Sequence, residues 1–260
     1  MKNYIKAYWK TLLFFAVIGL LGGFFVGIYV LDSYPANIQQ QVLEELNAAG
    51  LGQFPADIIM GVISAIQSAG YGIVLGAIGI LLGRKTGLWK DERQITKKPL
   101  IASLAVAVIG GLAMILLDIL FFGYYSEAIM SSYEVKPTIT YLLATVTYGA
   151  VIEEVMLRLF WMSLIAFVIH KIFGRKQDKP TDATLIFANV IAAILFAAGH
   201  LPATAELLGL TPMIIFRCFL LNGGLGLLFG RLYRKYGLRY SMIAHGGCHI
   251  VSKLIWILFI

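Results

Sequence analysis

The chain has 260 residues, 59% of them hydrophobic and only 13% charged, with a mean hydropathy of +0.82. A soluble chain carries roughly a quarter charged residues, so a water-soluble domain is excluded. Only two cysteines, Cys218 and Cys248, exclude a disulfide scaffold, and the aromatic content (Phe 16, Trp 4, Tyr 13) excludes disorder. The composition therefore predicts an all-α, polytopic transmembrane helix bundle.

Apolar runs between polar breaks predict about seven spans, at 11–31, 58–82, 100–122, 138–169, 183–199, 212–230 and 241–260. The first follows a basic stretch, residues 1–10. It has the length of a span and no small-residue cleavage site, which predicts a retained helix rather than a removed secretory signal. Residues 36–48 read as a short helix on the outer surface. The first three spans and this helix form one unit, 1–137, and the other four spans a second, 138–260. The last apolar run reaches residue 260, so no soluble catalytic domain is expected at either end. Glycine spacings such as Gly23/Gly27, Gly72/Gly76 and Gly226/Gly230 predict close helix packing within the chain.

The net charge is +7, which in a soluble protein would suggest nucleic acid or another acidic partner. Its placement says otherwise. Lys2, Lys6 and Lys10 lie in the N-terminal tail, and Arg84, Lys85, Lys90, Arg93, Lys97 and Lys98 in the second loop. The fourth loop carries Lys171, Arg175, Lys176 and Lys179, and the sixth Arg231, Arg234, Lys235 and Arg239. The alternate loops hold Lys136 against Asp32, Glu44, Glu45, Asp57, Glu127, Glu134 and Glu206. The positive-inside rule then puts the N-terminus in the cytoplasm and the C-terminus outside. Nucleic-acid binding is not needed to explain the charge.

Six charged residues remain within spans: Asp118, Glu153, Glu154, Arg158, Arg217 and Lys253. A charge at the bilayer centre costs at least about 2.5–3.5 kcal/mol, so each is a functional candidate by default. Asp118 and Arg217 lie about one turn from the outer ends of their helices, where a structural pair or snorkelling accounts for both. His170 begins a basic loop and reads as interfacial. Glu153 and Glu154 sit deep in an apolar run. Glu154 and Arg158 are four apart and share a helix face, so they can neutralise each other. Glu153 is left without that partner, and a desolvated carboxylate is suited to general-base work. His245 and His249 are also four apart on one face, a spacing used for metal ligation. Lys253 continues their stripe as a structural partner for a carboxylate, and Cys248 reads as a small apolar filler.

The elements Glu153-Glu154-x-x-x-Arg158, Phe196-x-x-x-His200 and His245-x-x-x-His249 resemble, in order and approximate spacing, the three motifs of the CPBP intramembrane proteases. This group includes CAAX prenyl endoproteases and bacteriocin self-immunity proteins. The glycine-rich stretch 222–230 also looks like that family's approach to its last motif, and the resemblance covers roughly 138–256. It implies that Glu153 and His200 activate a water, while His245 and His249 hold the oxyanion or a zinc ion. The family usually has Asn or Asp where this chain has His249. A neutral imidazole can donate to an oxyanion, or it can complete a metal set drawn from Glu153, His200, His245 and His249. Glu154 and Arg158 would support the site.

At ~1.5 Å per residue, Glu153 and His200 would lie about 24–26 Å from the basic ends of their spans, and His245 only about 6–12 Å. Straight upright helices would not bring them together, so tilt, a long fourth helix or a shifted boundary is required. The expected function is membrane-embedded hydrolysis of a peptide bond in a membrane-associated or prenylated-type peptide or protein, within a lipid bilayer. Two alternatives stand beside it: a non-catalytic immunity or scaffold protein of the same fold, and a small proton-coupled transporter. A cytoplasmic N-terminus and compact size fit a bacterial inner membrane.

Overall fold

The computed structural model describes residues 2–91, 94–174 and 176–260, with side chains from residue 6 onward. Arg93 and Arg175 of the basic loops, and the side chain of Lys2, lie outside the described residues. All regular structure described is helical, with no strand among the described residues. We number the helices α1 (Lys2–Ser33), α2 (Ala36–Ala48), α3 (Ala56–Thr86), α4 (Lys97–Tyr125), α5 (Glu127–Ser132), α6 (139–173), α7 (Asp182–Leu208), α8 (Pro212–Tyr236) and α9 (Leu238–Phe259). The protein is a multi-pass membrane protein. Among the described residues six helices, α1, α3, α4, α7, α8 and α9, are long and apolar enough to cross a bilayer. The seventh predicted span is α6, whose Glu153, Glu154 and Arg158 set it apart in composition. It runs through the bundle, with Ile152, Val155, Leu159 and Met162 fully buried against α1, α3 and α7. Apolar side chains such as Leu13, Val62, Leu104 and Ile194 point outward, as a lipid-facing surface requires.

The basic segments gather at one end of the bundle. Tyr8 packs edge-on against Trp89, Lys179 approaches Gly87, and Lys90 approaches Gly237. At the other end Tyr29 stacks on Tyr141 and Trp256 donates to the Tyr133 carbonyl. The alternation of charge along the sequence is thus an alternation of ends in the fold. Gly23 and Gly27 let α1 touch the backbone of α3 at Ser64 and Met60, where a Cβ would collide.

Most helices overrun their apolar runs. Hydropathy marks where lipid is met, whereas the helix continues while its hydrogen-bond ladder does, and basic last turns such as Arg84-Lys85 and Arg234-Lys235 suit the helix dipole. The largest shift is in α7. The predicted end at 199 is replaced by Leu208, so His200 lies inside the helix rather than at its end. Pro202 removes only its own N–H, the usual donor to the carbonyl four residues back, and the Thr204 hydroxyl bonds the His200 carbonyl at 2.8 Å.

Two features settle the depth problem. Ser163 of α6 meets the Tyr233 hydroxyl at 3.2 Å, one turn before α8 ends, so 164–173 extends past the α8–α9 turn. That turn is a single residue, Gly237, at φ 105° and ψ 170°, a region essentially restricted to glycine. At ~1.5 Å per residue along α9, His245 lies about 12 Å from Gly237, and its contacts with Glu153 and Glu154 put both glutamates at that height. The long fourth helix and the earlier start of α9 bring the motifs to one height.

Candidate active site

Within α6 the backbone is π-helical over Thr145–Glu153 and Val155–Met162, with Glu154 at the join. Such i→i+5 segments occur frequently at functional sites, and here they carry Glu153 and flank Glu154 on both sides. Glu154 is fully buried and saturated. The Arg158 Nε lies 3.5 Å from it, His245 Nδ1 bonds it at 3.0 Å, and the Ser241 hydroxyl donates to its other oxygen. Arg158 also donates to the Gly226 carbonyl at 3.3 Å. Its guanidinium lies over the rings of Phe196 and Phe229, 4.7 and 5.7 Å from their centroids. The predicted Glu154–Arg158 pair is therefore present, with aromatic faces replacing water on the cation.

His245 is wedged between the two glutamates. Its Nδ1 faces Glu154 and its Nε2 lies 3.8 Å from Glu153 Oε2. The ring stacks on Phe229 with centroids 4.6 Å apart, and the His249 ring follows at 5.1 Å. His200 comes from α7, with its Nδ1 2.8 Å from the Phe196 carbonyl. A carbonyl only accepts, so Nδ1 carries a proton and, in the neutral ring, Nε2 keeps its lone pair. His200, His245 and His249 line one cavity of about 30 Å³ with Phe196, Asn222, Phe229 and Cys248. That is room for a water, which needs roughly 10–15 Å³.

Glu153 borders this group on another side. No hydrogen bond or ion pair joins it to His200 among the described residues; its link to the histidines is through His245. A Cβ at Gly149, one π-turn before Glu153, would lie 3.5 Å from His249 Nε2 and 3.9 Å from Glu153 Oε2. The absent side chain thus keeps a small space open between a carboxylate and an imidazole.

Lys253 departs from expectation. It contacts no carboxylate among the described residues; its Nζ lies 3.4 Å from His249 Nδ1 and 4.2 Å from the centre of the Tyr141 ring. Glu153 and Glu154 are instead engaged from α9 by His245 and Ser241, two and three turns earlier. Asp118 and Arg217 form the expected pair near the other end, with bonds of 2.6 and 2.5 Å, and the Tyr133 hydroxyl donates to Asp118 at 2.8 Å. Burial and the Asp118 carboxylate raise the Tyr133 pKa, keeping the phenol a neutral donor. Cys248 is buried and free, as a filler would be. Sequence reasoning missed Ser241, although 241, 245, 249 and 253 form one polar stripe at helical spacing on α9. Phe196 entered that reasoning only as the first residue of the second motif, and Asn222 and Phe229 only within the stretch 222–230; the sequence assigned no role to any of the three.

Residues 135–251 match the family model described as type II CAAX prenyl endopeptidase Rce1-like. The resemblance carried by the three motifs holds. No curated protein and no solved structure gives a significant match to the chain. The Rce1-like segment begins just before α6 and ends on α9, so it contains Glu153, Glu154, Arg158, His200, His245 and His249. Rce1-like proteins are proteases, and this segment is where the polar cluster and its cavity lie.

The donors do not compose a metal site as placed. No set of three His, Cys, Asp or Glu side chains with suitable spacing occurs among the described residues. His245 has a carboxylate at each ring nitrogen, and the Nδ1 atoms of His200 and His249 face a carbonyl and an ammonium. No step of the reaction is therefore routed through zinc.

Proposed function

We propose that the chain is an intramembrane endopeptidase that hydrolyses a peptide bond with a water activated by Glu153 and His200. The observation that carries this reading is the convergence of three histidines on one water-sized cavity, with Glu153 on the far nitrogen of His245. A soluble protease reaches its substrate in water; here the base, the donors and the cavity lie about 12 Å inside the bundle, where water is scarce and electrostatic effects are strong.

In the step we propose, Glu153 accepts a proton from water while the His200 Nε2 lone pair orients it. The water oxygen bonds to the scissile carbonyl carbon, and His249 Nε2 donates to the developing oxyanion. Collapse breaks the C–N bond, and the proton held by Glu153 passes to the leaving amine. His245, stacked on Phe229 and bonded to Glu154, holds Glu153 in place, and Arg158 balances the buried charge of Glu154. A peptide exceeds the cavity, so its entry spreads the walls. An apolar cavity of about 270 Å³ between α7 and α8, lined by Val190, Ile194, Phe219, Leu220 and Leu227, offers lipid-like surface for a hydrophobic or prenyl substituent. The cytoplasmic N-terminus and a bacterial inner-membrane setting complete the proposal, supported by the basic residues gathered at one end.

The test is cleavage by purified protein in lipid nanodiscs, with matched prenylated and unprenylated peptides resolved by mass spectrometry. Cleavage that Glu153→Gln removes supports the reading. Binding without cleavage favours an immunity or scaffold protein. A pH-dependent flux in liposomes with no cleaved product favours a transporter.

A further inference from the structure

We infer that Lys253 is a positioning residue that fixes the tautomer of His249, so that the ring presents Nε2–H to the reacting carbonyl; this rests on the endopeptidase reading above. Lys253 is 3% exposed, yet no carboxylate lies within ion-pairing distance among the described residues. Its ammonium has two partners: the face of Tyr141, itself stacked on Tyr29 at 4.3 Å, and His249 Nδ1 at 3.4 Å. An aromatic face favours the cation. A lysine ammonium donates three hydrogen bonds and accepts none, so His249 Nδ1 must accept, and the neutral ring carries its proton on Nε2.

That nitrogen faces the space beside Gly149 and Glu153. The neighbouring histidine is set the opposite way. His200 Nδ1 meets a carbonyl, which only accepts, so its Nε2 is left as an acceptor. Two imidazoles on one cavity thus receive opposite tautomers from their buried partners: His200 an acceptor toward water, His249 a donor toward an oxyanion. Without Lys253 the His249 ring would divide between tautomers, and only the fraction protonated at Nε2 would donate.

Two readouts test this. In protein labelled with [15N]histidine, the His249 signal is assigned by its loss in His249→Asn. The expected spectrum has a protonated Nε2 and an unprotonated Nδ1, with the second tautomer appearing in Lys253→Met and staying absent in Lys253→Arg. In the cleavage assay, Lys253→Met is expected to lower kcat about ten-fold or more, toward the roughly 10²–10³-fold of a lost oxyanion donor, with KM nearly unchanged. An Asn amide carries its donor without help, so in a His249→Asn background Lys253→Met is expected to change kcat less than about two-fold. A wild-type His249 protonated at Nδ1 overturns the inference. So does an equal loss on Lys253→Met in both backgrounds, which marks a structural lysine. The spectrum needs no turnover: the expected tautomer with no peptide cleaved upholds the role of Lys253 and overturns the endopeptidase reading alone. Should Lys253→Met fail to fold, the wild-type spectrum and Lys253→Arg still decide.

Discussion

Two clusters of charge lie within the bundle, and their wiring differs. Toward the acidic end, Asp118 receives two bonds from Arg217 and one from Tyr133, which between them engage both of its oxygens. At mid-depth, Glu154 is just as saturated, by Arg158, His245 and Ser241. Its neighbour Glu153 is not: its one ion-pair contact among the described residues is His245 Nε2 at 3.8 Å, and its side chain keeps 19% exposure. Charge inside a membrane helix is therefore no sign of chemistry by itself. On the proposed mechanism, what would separate a working carboxylate from a structural one is an unsatisfied lone pair beside a space that water can fill.

The sharpest way to break this contrast is Glu153→Gln. It keeps shape and removes the base, so the cleavage rate is expected to fall roughly 10²–10⁴-fold while the melting temperature in nanodiscs stays put. A fall in melting temperature with the rate per folded molecule intact would put Glu153 in the same structural class as Asp118. Next in size is Arg158→Leu, which leaves Glu154 buried without its cation. Breaking a buried pair costs about 3–5 kcal/mol, read as lost stability in denaturant titration; a loss under about 1 kcal/mol would mean that His245 and Ser241 suffice.

Asp118→Ala tests the other side. Removing hydrogen bonds to a charged group costs about 1.5–3 kcal/mol, so stability should drop while kcat per folded molecule stays within about two-fold. A ten-fold fall in kcat would erase the distinction between the clusters. Gly149→Ala is finer still. The added methyl would sit in ordinary contact with His249 and Glu153, filling the space between them without a clash, and about a ten-fold loss of kcat with unchanged stability is expected, since small displacements of reacting groups are expensive. Equal activity would show that the water is held elsewhere.

Much of this was legible in the sequence. Period-four spacing on α9 and the Glu153-Glu154-x-x-x-Arg158 run survive because they are local: one helix fixes the geometry. The Asp118–Arg217 pair could be read too, since both residues lie at similar depth near the same end. Partners supplied by distant elements could not. Lys253 invited a carboxylate and found Tyr141 and His249 instead, and no one-dimensional pattern reports which aromatic face will arrive from α6. Nor does hydropathy report π-helical backbone, or that α7 continues through Pro202 to Leu208, because these depend on hydrogen-bond register rather than polarity.

The smallest expected effect bears on zinc, and it follows from which way the ring nitrogens point. A neutral histidine binds a metal through a nitrogen lone pair. His245 has carboxylates at both nitrogens, and if Lys253 donates to His249 Nδ1, the His249 Nε2 is protonated. Only His200 would offer a free lone pair, alongside Glu153, and two donors without a contact between them fall short of the three protein ligands of a catalytic zinc site. Chelator treatment of the purified protein is therefore expected to leave the cleavage rate unchanged, and metal content should not differ between the wild type and the His245→Ala/His249→Ala double variant. About one zinc per chain in the wild type, lost in the double variant together with chelator-sensitive activity, would require His245 to turn from Glu154 and His249 from Lys253. The mid-depth cluster would then be a metal centre with a rearranged ring network, and the contrast with Asp118 would rest on ligation rather than on an open lone pair.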